Sequence, residues 1–204
     1  GSPLPQHRGD TPSSQRDRII AWGHSRPYDY REEGEHLCRI LCALARQTSF
    51  QFWLYGVRKQ AEMAYLLDPL RAAGVPVRTF RIMPYKDFLR SMDQVAIGIH
   101  IISPENQYSH GKSFGKVLGY LASQVAVVAS DAIDHRLFFE QKKNGMLADT
   151  DDEWVNSLHW LLDHPEERDA MVAQASVDFE NRLSTRATAA RYDAVFRRVI
   201  ARAR

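Results

Sequence analysis

The chain has 204 residues, of which 44% are hydrophobic and 25% are charged, and its formal net charge is +2. These values are typical of a water-soluble globular protein with one large domain. The near-neutral charge gives no reason to expect nucleic acid as a partner, and no apolar run is long enough to span a bilayer. The two cysteines, Cys38 and Cys42, support neither a disulfide framework nor a zinc motif.

The N-terminal segment differs in composition from the rest of the chain. Residues 1–16 are polar, contain several Pro and Ser residues and lack hydrophobic periodicity. Gly1-Ser2 has the form of a cloning remnant. We expect residues 1–16 to be a disordered linker, which indicates that the chain was cut from a longer protein. A single folded domain is predicted over residues 17–204.

Strand-like and helix-like segments alternate from Asp17 onward. The predicted strands are Arg18–Trp22, Gln51–Tyr55, Val77–Phe80, Val95–Ile102, Val125–Ser130 and Gly145–Ala148. The predicted helices are Gly34–Gln47, Gln60–Ala73, Tyr85–Met92, one from Phe114, one near Asp134–Gln141, one opened by the capping box Thr150-x-x-Glu153, and two over Pro165–Arg182 and Thr185–Arg202. This order predicts a Rossmann-like α/β domain, with a six-stranded parallel sheet, helices on both faces and a helical C-terminal tail.

A candidate anion site lies before the helix predicted from Phe114. The segment Ser109-His-Gly-Lys-Ser113 is small, polar and basic, and a helix N-terminus offers free backbone N–H groups to an anion. A P-loop is excluded because its first glycine would fall at Asn106. No G-x-G-x-x-G follows the first strand, so a nicotinamide or flavin cofactor is not expected. No metal site is predicted, because no histidine has convergent partners at a known spacing.

Several segments, taken in order, resemble one known family. Phe114–Asp131 resembles the P-x-K-x-x-E-Y-x-A-x-G-x-P-V-V-x-S segment in the C-terminal domain of GT-B retaining glycosyltransferases of the group 1 type. Four further segments of this chain resemble other parts of that domain: Arg18–Gly23, Gln51–Gly56, Phe80–Asp93 and Asn144–Leu147. The resemblance covers about Asp17 to Ile200, which is nearly the whole chain.

The resemblance implies a function for the domain and for its parent protein. The domain would bind a UDP- or GDP-linked sugar, and the parent would transfer the hexose, with retention, to a glycan acceptor. The acceptor would be held by an N-terminal domain that this chain does not contain, so the isolated domain is expected to be inactive. No metal or cofactor would be required. The family context implies a bacterial, cytoplasmic protein of polysaccharide biosynthesis, held at the cytosolic face of the membrane through its parent.

Site residues follow from the resemblance by position. Lys116 matches the motif lysine, and Arg26 or Arg31 would be the cation of the first loop. The residues expected at the nucleotide and diphosphate are Gly23, Arg26, Arg31, Lys112, Ser113 and Lys116. Those expected near the base and ribose are Ile82, Met83, Pro84, Glu105 and Gly119, and those near the sugar are His100 and His110. No catalytic residue is assigned.

The sequence departs from the family pattern at the ribose position. The glutamate that binds ribose is replaced by Gly119, and the glycine and proline of the following turn are replaced by Gln124 and Ala126. Restoring a glutamate at position 119 is therefore expected to strengthen nucleotide binding. The departures leave open a degenerate, non-catalytic domain used for binding or assembly. A sugar-nucleotide epimerase fragment is disfavoured, because no acid/base set is visible.

Overall fold

A computed structural model describes residues 11–103, 115–132 and 134–202. Six strands form one parallel sheet in the order β3-β2-β1-β4-β5-β6. The strands are β1 (Ile19–Trp22), β2 (Gln51–Tyr55), β3 (Val77–Phe80), β4 (Ile97–His100), β5 (Ala126–Ser130) and β6 (Met146–Ala148). The predicted six-stranded parallel sheet is therefore confirmed.

Helices cover both faces of this sheet, as predicted. The described α-helices are α1 (Arg31–Ala45), α2 (Ala64–Ala72), α3 (Tyr85–Ser91), α4 (Gly115–Ala122), α5 (His135–Phe138), α6 (Asp151–Asp163), α7 (Pro165–Arg182) and α8 (Thr185–Arg202). Two apolar cores result, one on each face. On one face, α1, α2 and α6 contribute Leu41, Leu67 and Trp154. On the other face, α4 and α7 contribute Val117 and Phe179.

The order of the strands places a ligand-binding crevice at a defined point. β1 lies between β2 and β4, with Ile20 in register with both Phe52 and Ile97. The chain runs outward from β1 to β3 in one direction, and from β4 to β6 in the other. Loops that leave the carboxyl ends of β1 and β4 therefore diverge to opposite faces of the sheet. Open α/β sheets bind their ligands in the crevice that opens there.

The elements differ from the sequence expectations mainly at their ends. α7 and α8 have the predicted bounds, and the capping box of α6 is formed, with the Glu153 N–H donating to Thr150 Oγ1 and the Thr150 N–H donating to Glu153 Oε2. The strand expected over Val95–Ile102 is paired only within Ile97–His100. The helix expected near Asp134–Gln141 is shorter, because Phe139 has extended backbone angles.

The turn between α4 and β5 contains Gln124, which stands where the family pattern has a glycine. Gln124 has a φ of 55°, in the left-handed region that favours glycine. The family pattern has glycine at this position, so the turn keeps its backbone conformation while the residue type changes. A side chain in this conformation costs roughly 1–2 kcal/mol, which the surrounding structure must offset.

The expectation that residues 1–16 are disordered is wrong for residues 11–16. Ser13–Gln15 form a 3-10 helix that packs on α7, where Arg168 donates to the Ser13 carbonyl. The Arg16 guanidinium is buried and donates to the carbonyls of Val95 and Ser123, at 3.2 and 3.1 Å. Buried carbonyls at the ends of a helix and a strand need donors, and Arg16 supplies them from a distant part of the chain. Residues 1–10 lie outside the described residues.

Across the described ranges, no helix is both long enough and apolar enough to cross a bilayer.

Candidate functional site

A cleft with a volume of about 340 Å³ opens at the carboxyl edge of the sheet, where β1, β2 and β3 end. The first turns of α3 and α4 close its sides. Its lining residues are Gly23, His24, Ser25, Tyr55, Gly56, Arg81, Ile82, Met83, Tyr85, Phe88, Gly115, Lys116 and Gly119. These residues are called the cationic cleft below, because they include Arg81 and Lys116 but no carboxylate.

The loops after β1 and β2 are held against each other at the floor of this cleft. Gly56 has a φ of 80°, and a Cβ at this position would lie 2.2 Å from the His24 carbonyl oxygen. Any larger residue would therefore be strained in its backbone and would also collide with the β1 loop. This contact fixes the position of His24 at the mouth of β1.

Tyr120 anchors α4 to the sheet from below the cleft. Its side chain is buried, and its hydroxyl accepts the Gly23 N–H at 2.6 Å while lying 3.2 Å from the Ala21 carbonyl oxygen. Burial raises the pKa of this phenol, so it stays protonated and can donate to that carbonyl. Gly98 of β4 makes room for the ring, since a Cβ there would lie 2.5 Å from it. The tyrosine of the family motif is thus a structural anchor here.

The position of Lys116 follows from this anchor. It lies four residues before Tyr120 on α4 and therefore on the same face, one turn closer to the cleft. Its ammonium contacts His24 Nε2 and lies 4.6 Å from the centroid of the Tyr30 ring. His24 also packs against Tyr30, with 4.1 Å between the ring centroids. The lysine is thus held at the wall of the cleft by aromatic rings.

The opposite wall of the cleft is aromatic. Tyr55 stacks on Phe80 with 4.4 Å between the ring centroids, and Phe88 meets Tyr55 edge-on at 5.1 Å. The Tyr55 hydroxyl is paired with Ser91 Oγ at 2.9 Å, so this ring has no polar group left toward the cleft. A planar apolar ligand group fits such a wall, while the Lys116 side of the same cleft suits an anion.

Five of the residues predicted from the sequence line the cationic cleft. They are Gly23, Ile82, Met83, Lys116 and Gly119. Pro84 is nearby but caps α3, where its carbonyl accepts the Asp87 and Phe88 N–H groups. The predicted positions of Glu105, His110, Lys112 and Ser113 lie outside the described residues.

The prediction that Arg26 or Arg31 faces the diphosphate is not matched by their placement. Neither lines the cleft. Arg26 is paired with Asp29 at 2.8 Å, and Arg31 is paired with Glu35 at 2.7 Å, on the exposed surface. Arg81 lies in the cleft instead. A sequence signal existed for it, because Arg81 follows β3 directly, as Gly23 follows β1.

His100 is buried behind the cleft rather than lining it. His135 Nδ1 donates to the Ser130 carbonyl at 2.9 Å, so His135 Nε2 must accept the proton of His100 Nδ1, at 2.7 Å. Burial, together with the charges of His135 and Lys116, lowers the pKa of His100 to about 3. Burial also lowers the pKa of His135. Both rings are therefore neutral near pH 7, and this pair closes the sheet edge between β4 and β5.

A second cleft, of about 440 Å³, lies beyond this histidine pair. Its ionisable residues are Glu32, Glu35, His36, Arg39, Asp149 and Asp151, and it is called the acidic cleft below because four of them are carboxylic acids. His36 and Arg39 contact Asp151 at 2.7 and 3.4 Å, which ties α1 to the start of α6. In the described part of the chain, no group of three or more His, Cys, Asp or Glu side chains is placed to hold a metal ion.

Comparison with known proteins gives a family and a fold. A family model described as "Glycosyl transferase-like" matches residues 31–194. No curated protein sequence gives a match. The C-terminal domain of a glycosyl transferase group 1 family protein (LpcC) from Francisella tularensis superposes with a TM-score of 0.63 at 13% identity, over 88% of this chain and 96% of that one.

Two longer proteins have a domain of the same fold. S. aureus TarM, as a mutant in complex with fondaparinux, alpha-GlcNAc-glycerol and UDP, matches with a TM-score of 0.68 at 14% identity, over 95% of this chain and 38% of that one. Anabaena HepE, in complex with UDP and glucose, matches with a TM-score of 0.61 at 16% identity, over 82% of this chain and 45% of that one. This chain thus spans less than half of either protein.

Proposed function

The chain belongs to the glycosyl transferase-like family, and on that premise we propose that it is the nucleotide-sugar-binding domain of a hexosyltransferase. The donor is a UDP- or GDP-linked sugar. The acceptor is a glycan, held by a second domain of the parent protein, and the hexose is transferred with retention. No cofactor or metal is needed beyond the donor itself.

One observation carries this proposal: the cleft has an aromatic wall and a cationic wall at the crevice of the sheet. A nucleotide sugar has a planar base at one end and a diphosphate toward the other. Tyr55, Phe88 and Ile82 suit the base, and Lys116 and Arg81 suit the diphosphate. The UDP in the TarM and HepE complexes supports uridine as the first base to test.

The chemistry assigned to this domain is electrostatic. When the bond between the sugar and the diphosphate breaks, negative charge builds up on the leaving oxygen. A fixed cation at that point stabilises the transition state, because it is already oriented before the reaction. We assign this role to Lys116, which Tyr30 and His24 hold in place.

The proposed biological setting follows from the donor. Nucleotide sugars are made in the cytoplasm, so the parent protein would work there, at the cytosolic face of the membrane. Bacterial polysaccharide biosynthesis is the pathway class that we propose.

Calorimetric titration with UDP, GDP and ADP tests the proposal. We expect UDP or GDP to bind, and Lys116→Ala to weaken that binding about 10- to 100-fold, since a charge-assisted hydrogen bond is lost. Lys86→Ala is the matched control, because Lys86 is an exposed lysine of α3 that does not line the cleft. Equal losses in both variants would indicate a general effect of net charge and would contradict the assigned site.

A second candidate is a non-catalytic domain of the same fold that serves binding or assembly. It is favoured by Gly119, which leaves the ribose position without a carboxylate, and by the absence of acidic residues from the described lining of the cleft. If no nucleotide binds at millimolar concentration, this candidate replaces the first.

A further inference from the structure

The space beside Gly119 is occupied by another residue of the cleft. A Cβ built at Gly119 would lie 3.0 Å from Phe88 Cε1 and 3.5 Å from the Tyr85 hydroxyl oxygen. Both rings belong to α3, which packs against α4 at this point. Gly119 is therefore the place where one helix leaves room for two aromatic side chains of another.

Tyr85 presents a hydroxyl to the cleft. It is the first residue of α3, its side chain is 40% exposed, and its ring stacks on Phe88 with 6.2 Å between centroids. Among the described residues, the Tyr85 hydroxyl has no hydrogen-bond partner, whereas the hydroxyls of Tyr55 and Tyr120 are both hydrogen-bonded. Partial burial raises the pKa of Tyr85, so the phenol keeps its proton at neutral pH and can both donate and accept.

The position of this hydroxyl relative to Lys116 limits what it can contact. Lys116 and Gly119 lie three residues apart on α4, on the same face and about 5 Å apart along the axis. With the base of a nucleotide against the aromatic wall and its diphosphate at Lys116, the pentose between them passes over Gly119. The groups that a pentose offers there are its vicinal hydroxyls, which pair well with a phenol.

We propose that the Tyr85 hydroxyl, which packs into the space beside Gly119, binds the vicinal diol of the pentose of a nucleoside diphosphate. This inference rests on the proposed function, since it names the specificity-determining residue of that site. Such a contact would make the cleft selective for ribonucleotides. The neutral Tyr85 hydroxyl would then bind the group that a carboxylate binds in the family pattern.

The test compares UDP with 2′-deoxy-UDP and 3′-deoxy-UDP on the wild-type chain and on Tyr85→Phe; the GDP series is used if GDP binds more tightly. The wild type should prefer the ribonucleotide over at least one deoxy form by about three- to tenfold, as expected for one neutral hydrogen bond. In Tyr85→Phe the ribonucleotide should bind no better than that deoxy form. Tyr192→Phe, an exposed tyrosine of α8, is the matched control and should keep the preference.

A second variant guards against a trivial effect of folding. Gly119→Ala places a methyl group 3.0 Å from Phe88 Cε1, so the Phe88 ring, on which Tyr85 stacks, must shift and the preference for the ribonucleotide should fall. The melting temperatures of this variant and of Tyr85→Phe show whether the fold is kept. If nucleotides bind and Tyr85→Phe keeps the full preference, the inference is wrong and the proposed function survives. If neither UDP nor GDP binds the wild type, both are overturned.

Discussion

The two clefts at the carboxyl edge of the sheet differ in size and, more sharply, in charge. The acidic cleft is the larger, at about 440 Å³ against 340 Å³ for the cationic cleft. Within its lining, His36 and Arg39 pair with Asp151, while Glu35 pairs with Arg31, which lies outside the lining. The cationic cleft has Lys116 and Arg81 and no carboxylate in its described lining. The two clefts therefore offer a ligand different charges along one sheet edge, and the proposed nucleotide site follows from this difference in charge and not from volume.

The largest expected effect on UDP binding comes from reversing the charge of Lys116 in the cationic cleft. Lys116→Glu should weaken UDP binding by more than about 100-fold, because a charged hydrogen bond is lost and a like charge faces the diphosphate. Calorimetry measures the change, with Lys86→Glu as the control. If the two variants lose the same factor, the contrast between the clefts does not decide where the nucleotide binds.

The histidine pair between the clefts should make stability depend on pH. His100 has a folded pKa of about 3, well below its ordinary value near 6.5, so the unfolded chain takes up the proton first as the pH falls. This contribution is complete above pH 6.5 and is lost progressively below it. Between pH 7.5 and 5.0 the free energy of unfolding should fall by about 2 kcal/mol from His100 alone, and His135 adds to the fall.

Urea unfolding at the two pH values measures this effect. His100→Gln should be less stable at pH 7.5, because His135 loses its partner, but its stability should change less with pH. A wild-type protein whose stability is flat from pH 7.5 to 5.0 would show that the pair is not held neutral by burial.

A smaller effect is expected from Gly119→Glu. The family pattern led to the expectation that a glutamate here strengthens nucleotide binding. The contacts reverse that expectation, because Phe88 and Tyr85 already fill the space and a carboxylate brings acidic character into the cationic cleft. We expect UDP to bind about tenfold more weakly. Gly119→Gln is the control that separates the effect of crowding from the effect of charge. If Gly119→Glu instead binds UDP more tightly than the wild type, a glutamate at this position binds ribose as the family pattern implies.

The smallest effect should come from the acidic cleft. Asp151→Asn weakens the exposed pairs with His36 and Arg39, and pairs of this kind contribute less than about 1 kcal/mol to stability. UDP affinity should stay within about twofold of the wild type, since solvent and salt screen a charge in the other cleft. A large change in affinity would mean that the two clefts are coupled.

The architecture could be predicted from the amino-acid sequence, because the signals for it are local. Hydrophobic periodicity and turn residues predicted all six strands in their order along the chain, and the approximate bounds predicted for α7 and α8 agree with the structure. The capping box of α6 was also readable, since Thr150 and Glu153 are three residues apart. Such signals depend on neighbours within one or two turns of the chain.

The set of side chains that share the cleft depends on how the helices pack on the sheet, and the sequence did not predict it in full. Arg26, Arg31 and Arg81 all follow strands or open helices, yet of these three Arg81 lines the cleft, whereas Arg26 and Arg31 pair with Asp29 and Glu35 on the exposed surface. The meeting of Tyr85 with Gly119 depends on how α3 packs on α4, and the burial of Arg16 depends on carbonyls far away in the chain. A local pattern has no information on these contacts, since they form only when the helices pack on the finished sheet.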